Sequence, residues 1–116
     1  MPYGVPGGRG GPWKGFMGQY LPLIILKIIK EKNGTHGYEI SKIVEDLFET
    51  PLPPGMIYMY LRRMESRGLI ISQWDYNSSP PRRVYTITTL GESYFENSKR
   101  FLGVLKKVLD YLCEEC

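Results

Sequence analysis

Residues 54–88, PGMIYMYLRRMESRGLIISQWDYNSSPPRRVYTIT, decide the fold. Proline suits the first position of a helix, where its φ is already helical and its missing N–H would have no partner. A helix is therefore expected to start at Pro54. Ile57, Leu61 and Met64 recur at i, i+4 and i+7 with Tyr60 beside them, an apolar stripe that looks inward, and Gly68 marks the stop. At about 100° per residue the opposite face gathers Gly55, Tyr58, Met59, Arg62, Arg63 and Ser66. Arginine, tyrosine and serine bond phosphate oxygens and base edges, and a small residue at the helix start allows close backbone approach. Such a face suits a DNA groove.

Two strands follow. Residues 69–76 (LIISQWDY) are β-branched and aromatic, and in residues 83–88 Arg83, Tyr85 and Ile87 alternate with Val84, Thr86 and Thr88. Between them NSSPPR combines turn formers with two prolines that cannot donate to a ladder, so the tip is polar and exposed. Arg82 and Arg83 leave that tip together. A basic helix face followed at once by a basic hairpin tip matches the winged helix-turn-helix, with the helix in the major groove and the wing on the backbone.

The 116 residues suffice for one domain, and 42% hydrophobic with 23% charged residues is an ordinary globular composition. Net charge is only +3, but it is unevenly placed. Residues 1–88 hold 11 basic and 7 acidic side chains, whereas residues 89–116 hold 4 and 5. The positive part is the part with the helix and wing, which favours a polyanionic partner there. No apolar run reaches membrane-spanning length and no apolar signal core opens the chain, so a cytoplasmic protein is expected.

Residues 1–12, with five glycines and three prolines, read as a flexible leader. Trp13, Phe16, Met17 and Tyr20 form an aromatic patch just before residues 21–32 (LPLIILKIIKEK), a buried helix that turns basic late. Asn33 and Gly34 end it. Thr35 or His36 is expected to cap a helix running to about Phe48 that buries Tyr38, Ile40, Val44 and Leu47. The sole histidine thus reads as a cap or packed group rather than a metal ligand. The short, proline-stiffened ETPLP (residues 49–53) joins this helix to the next and completes the helix-turn-helix reading.

Residues 89–112 form a last helix, about 36 Å long. Tyr94, Phe101, Leu105, Val108 and Leu112 make one apolar stripe, and Phe95, Leu102 and Leu109 an adjacent one. Left alone this face would be a larger exposed patch than monomers usually carry, so a second copy is the expected cover. Cys113 and Cys116 form a single CxxC. One pair supplies only two metal ligands, and Glu114, Glu115 and the negative helix end disfavour thiolate.

Three motifs resemble the PadR family of transcriptional regulators: HGYEI (residues 36–40), GMIYMYLRRMESRGLI (55–70) and PRRVYTITTLG (81–91). They span about half of the chain in the right order. The resemblance implies a homodimeric DNA-binding repressor that senses a small molecule, often phenolic or planar aromatic. It also implies that Tyr58 meets the DNA backbone and that Arg82 and Arg83 meet phosphate or the minor groove. Where the family usually has Gly-Thr-Leu-Tyr-Pro, this chain has Gly55-Met56-Ile57-Tyr58-Met59, so a threonine hydroxyl and a proline are missing.

The expected fold is α+β and mostly helical: a winged helix-turn-helix over residues 13–88 and a C-terminal dimerisation helix over residues 89–116. The expected function is sequence-specific DNA binding by a ligand-responsive homodimeric repressor. Its DNA contacts would be Lys42, Gly55, Tyr58, Met59, Arg62, Arg63, Ser66, Arg82 and Arg83. An aromatic effector would sit among Trp13, Phe16, Tyr20, Tyr94 and Phe101, and no cofactor is expected. Two other readings are a winged-helix docking module and a thiol- or metal-responsive regulator using the CxxC. An enzyme is excluded for want of an acid/base pair, phosphate loop or nucleophile motif.

Overall fold

The structure is a computed structural model that describes residues 11–116, and for residues 11–14, 16 and 17 the backbone alone. In chain order the elements are α1 (Gly11–Lys32), β1 (Thr35–His36), α2 (Gly37–Phe48), α3 (Met56–Ser66), β2 (Ile70–Asp75), β3 (Arg82–Ile87) and α4 (Thr89–Leu112). Four helices thus surround one small antiparallel sheet of order β1-β3-β2. The sheet and the short helices make a winged helix-turn-helix, and the fold is mostly helical, as expected.

Helix α1 supplies the floor of the core. Leu21, Ile25, Leu26 and Ile29 are fully buried along one side, where Ile40 and Val44 of α2, Leu61 of α3 and Ile70 of β2 meet them. The helix begins at Gly11 rather than near Leu21, so Trp13, Phe16 and Tyr20 lie on it, not before it. Pro22 does not stop it, because a proline removes one N–H and disturbs one turn while the flanking turns keep their own bonds. Of the expected leader, residues 1–10 lie outside the described residues, and Gly11 and Pro12 are helical.

In α2, Ile40 and Val44 reach the core, but Tyr38 and Leu47 do not: they are 63% and 61% exposed. Tyr38 stands two positions, about 200°, from Ile40 and so points away from the core. At the last turn Phe48 makes the core contact instead of Leu47. Helix α3 starts at Met56, two residues later than expected. Pro54 and Gly55 instead form the middle of a tight turn closed by Met56 N–H donating to the Pro53 carbonyl at 3.2 Å. Gly55 has φ 81° and ψ −7°, the second central position of a type II turn, where proline precedes and glycine fits. At the other end Gly68 (φ 81°) reverses the chain. Gly68 N–H bonds to Glu65 O and Leu69 N–H to Met64 O, both at 3.0 Å, the two bonds of a Schellman stop.

The wing strands pair from Ile70↔Ile87 to Asp75↔Arg82. A third strand, the two residues of β1, joins β3 as Thr35↔Tyr85 and His36↔Val84. Sequence reading does not show it, because two residues carry no periodicity. The pairing seats the start of α2 beside the base of the wing.

Thr88 launches α4. Its Oγ1 accepts from Gly91 N–H at 3.0 Å and donates to the Gly68 carbonyl at 2.6 Å, so one hydroxyl caps α4 and ties it to the end of α3. Gly91 lies flat on this junction: a Cβ there would overlap the Leu69 carbonyl oxygen and stand 2.8 Å from Ile87 Cγ1. Backbone cannot yield as a flexible side chain can. Gly91→Ala should therefore destabilise the fold by about 2–3 kcal/mol, read as a lowered midpoint in urea or thermal unfolding.

Candidate nucleic-acid interface

Three elements meet at one face. Gly37 opens α2 directly beneath the ring of Tyr58 on α3, so closely that a Cβ on residue 37 would stand 2.8 Å from Tyr58 Cζ. The Tyr58 ring can lie on the start of α2 because residue 37 has no side chain. One turn further along α3, Arg62 follows Tyr58 on the same side. The wing closes the face, and the result is a groove of about 580 Å³ lined by His36, Gly37, Tyr58, Arg62, Arg82 and Arg83, with Tyr38 and Trp74 at its edges.

The wing arginines are held rather than loose. Trp74 and Arg83 are directly opposite in the ladder, and the guanidinium carbon lies 5.1 Å from the ring centroid. Arg83 Nε donates to Ser72 Oγ at 2.9 Å, and that hydroxyl donates in turn to the Glu65 carboxylate at 2.9 Å. Packing a guanidinium on an aromatic face lowers the entropy it loses on meeting an anion. Arg82 Nη1 lies 2.7 Å from His36 Nε2. Below them Tyr85 is buried, and that burial pushes its phenol above the ordinary tyrosine range, so it stays neutral. At the α2 end, the Thr35 hydroxyl and then Lys32 hold the Glu39 carboxyl below the usual range, and Lys32 pairs with it at 3.0 Å.

The other expected DNA contacts divide. Lys42 and Gly55 line an adjoining hollow of about 220 Å³ on the far side of Tyr38, with Lys42 Nζ 5.5 Å from the Tyr38 ring. Met59 is half-buried, and the Ser66 hydroxyl turns back to the Arg63 carbonyl at 3.2 Å. Arg63 faces a separate groove of about 440 Å³ with Tyr60 and Arg67, whose other wall is Gly18 and Pro22 of α1 and Leu90 and Tyr94 of α4. The neighbours Arg62 and Arg63 of α3 therefore serve two different sides.

The expected effector residues divide as well. Tyr20 and Phe101 stack with centroids 6.5 Å apart and planes 8° apart, while Tyr94 lines the Arg63 groove. The side chains of Trp13 and Phe16 lie outside the described residues. Among the described residues no three His, Cys, Asp or Glu side chains gather as a metal site. Cys113 and Cys116 stand with their Cα atoms 5.2 Å apart, a spacing a disulfide accepts.

Residues 25–97 match the model of the PadR-like family of transcriptional regulators. The chain belongs to that family. A PadR-like transcriptional regulator of Bacillus cereus shares 28% identity and superposes with a TM-score of 0.74, over 88% of this chain and 99% of its own. A PadR family regulator of Clostridium difficile shares 33% identity, with a TM-score of 0.65 over 80% of this chain and 97% of its own. One from Eggerthella lenta shares 26%, with a TM-score of 0.70 over 93% and 94%. This PadR-like chain is accordingly a DNA-binding transcriptional regulator and not an enzyme. No helix among its described residues is long and apolar enough to cross a membrane.

Sequence reading of the groove missed His36, Gly37 and Trp74 as partners of the arginines. His36 reads as a cap and Trp74 as one more strand aromatic, because only the pairing of β1 and β2 with β3 brings them to the wing. The alternation of β2 against β3 was the available signal for Trp74. Gly37→Ala should push the Tyr58 ring off α2 while costing no more than about 1 kcal/mol, since a ring at the surface can swing aside. Tyr58 ring chemical shifts read the displacement, and an unfolding midpoint reads the cost.

Proposed function

We propose that the protein is a repressor that binds its operator as a homodimer and releases it on binding a small aromatic effector in the cytoplasm. One observation carries the DNA side: Tyr58, Arg62, Arg82 and Arg83, from a helix and a wing, converge on a single groove. In this reading α3 enters the major groove and the wing follows the backbone, and each dimer spans half-sites about one helical turn apart. Arg62 reads base edges or phosphate from inside the groove, Arg82 and Arg83 hold phosphates, and Lys42 and the open backbone at Gly55 flank them. Repression then needs only occupancy of the promoter.

The dimer is supported by α4, along which Phe101, Val104, Val108, Leu109 and Leu112 are all at least 47% exposed. Phe95, Leu102 and Leu105 are partly covered by their own chain. A second α4 laid on this strip removes it from water. The effector would sit where α4 meets α1, beside the stacked Tyr20 and Phe101 and near Tyr94, Trp13 and Phe16. It acts by binding the DNA-competent dimer less well than the other form.

Titration of the protein against DNA from upstream of its own gene, and against a scrambled duplex, tests the interface. With roughly 6–10 phosphate contacts per dimer, affinity should fall by about three to five decades between 50 and 200 mM salt. Arg62→Ala and Arg82→Ala should each weaken promoter binding, Arg82→Ala with a shallower salt slope. Equal binding of both variants and the parent sinks this reading. A separate check is Val108→Asp, which places a charge on the proposed α4 seam. It should yield a folded monomer in sedimentation equilibrium, with promoter affinity lowered by the loss of the second half-site.

A further inference from the structure

We propose that His36 is itself a phosphate contact of this face and that it makes DNA binding proton-linked, the complex holding one more proton per protomer than the separate partners. The proposal rests on the DNA-facing reading of the groove and adds a residue and a regulation to it.

A guanidinium has donors only, so the 2.7 Å approach of Arg82 Nη1 is a hydrogen bond only where His36 Nε2 keeps its lone pair. The other ring nitrogen, Nδ1, takes Glu39 N–H at 3.4 Å as the side-chain cap of α2. A neutral imidazole has one lone pair, so the two donors compete for it, and the shorter contact belongs to Arg82. An arginine is parked on a histidine, both at the rim of the groove.

The charged and titratable surroundings show what would change this. From α3 come Tyr58 and Arg62, from the wing Arg82, Arg83 and buried Tyr85, and from α2 itself Tyr38. The carboxylates nearby are engaged: Glu39 bonds the Thr35 hydroxyl and Lys32 from α1, and Asp75, opposite Arg82 in the ladder, accepts from Asn77 N–H and the Ser78 hydroxyl. In this setting a second proton on the ring faces Arg82 with no lone pair between them. A phosphate oxygen removes that conflict. Arg82 moves its N–H from Nε2 to the phosphate, water supplies a proton to the vacated Nε2, and the new Nε2–H donates to the same phosphate. One bond between two protein groups is exchanged for two charge-assisted bonds to the anion.

The sign follows from linkage. Because the complex binds more protons, its affinity rises as pH falls, by at most about tenfold per pH unit for each proton taken up. The chain has a single histidine, so a slope across the interval of about pH 5.5–8 has one side chain to come from.

The experiment measures promoter affinity by fluorescence anisotropy across that interval at fixed ionic strength, for the parent, His36→Gln and His36→Asn, with Arg82→Ala alongside. Proton uptake is measured calorimetrically in two buffers of different ionisation enthalpy. The parent should tighten by about tenfold or more from pH 8 to 5.5 and take up protons, and both neutral variants should lose the slope and the uptake. A parent that binds promoter DNA without proton uptake, or a slope that survives in both variants, overturns the proposal and leaves the interface standing. If Arg82→Ala binds as tightly as the parent, the interface reading itself fails and this proposal falls with it.

Discussion

The missing side chain at residue 37 is the constraint on which the working face depends. The Tyr58 ring occupies the place a Cβ would need, so it lies on bare backbone at the start of α2. That contact sets where the ring of Tyr58 stands. His36, the neighbour of Gly37, is carried to the wing by the pairing of β1 with β3, and there it meets Arg82. Tyr58 and Arg62 then stand on the same side as the hairpin, and a helix and a ribbon act as one cationic surface.

A second junction connects this face to the long helix. The Thr88 hydroxyl caps α4 and bonds the carbonyl of Gly68, the residue that ends α3, while Thr88 N–H bonds the Leu69 carbonyl at 3.1 Å. Gly91 lies against the same carbonyl. The last turn of α3 and the first turn of α4 therefore share their terminal bonds, and a tilt of α4 must move the end of α3. In the proposed regulator this joint is the route by which an event along α4 would reach α3. The groove holding Arg63, Arg67 and Tyr94 lies across this joint, which explains physically why neighbouring arginines of one helix face different surroundings.

The two wing arginines are held by different devices. Arg83 lies over Trp74 and is tethered through Ser72 to Glu65, and Arg82 leans on the His36 ring. Neither arginine is neutralised by a directly paired carboxylate, so their charge stays available to a polyanion while their geometry is partly set in advance.

The periodic parts of the molecule were legible in the sequence alone. The inward stripe of Ile57, Leu61 and Met64, the alternating strands, the glycine stop at Gly68 and the span of α4 all follow from repeats of 3.6 or 2.0 and from turn chemistry that neighbours enforce. The same local logic erred where two local solutions competed. Pro54 suits a helix start and a type II turn equally, and the positive φ of Gly55 settled the turn. Residues 21–32 read as the whole first helix, yet α1 begins at Gly11. Which side chains share a surface was beyond any local rule. The two-residue strand β1, the exposure of Tyr38 and Leu47, and the parting of Arg62 from Arg63 depend on what packs opposite. His36 and Arg82 are 46 residues apart in the chain, and only the pairing of β1 with β3 makes them partners. Sequence determined the elements because their causes lie within a few residues, and tertiary structure decided the site because its causes lie across the fold.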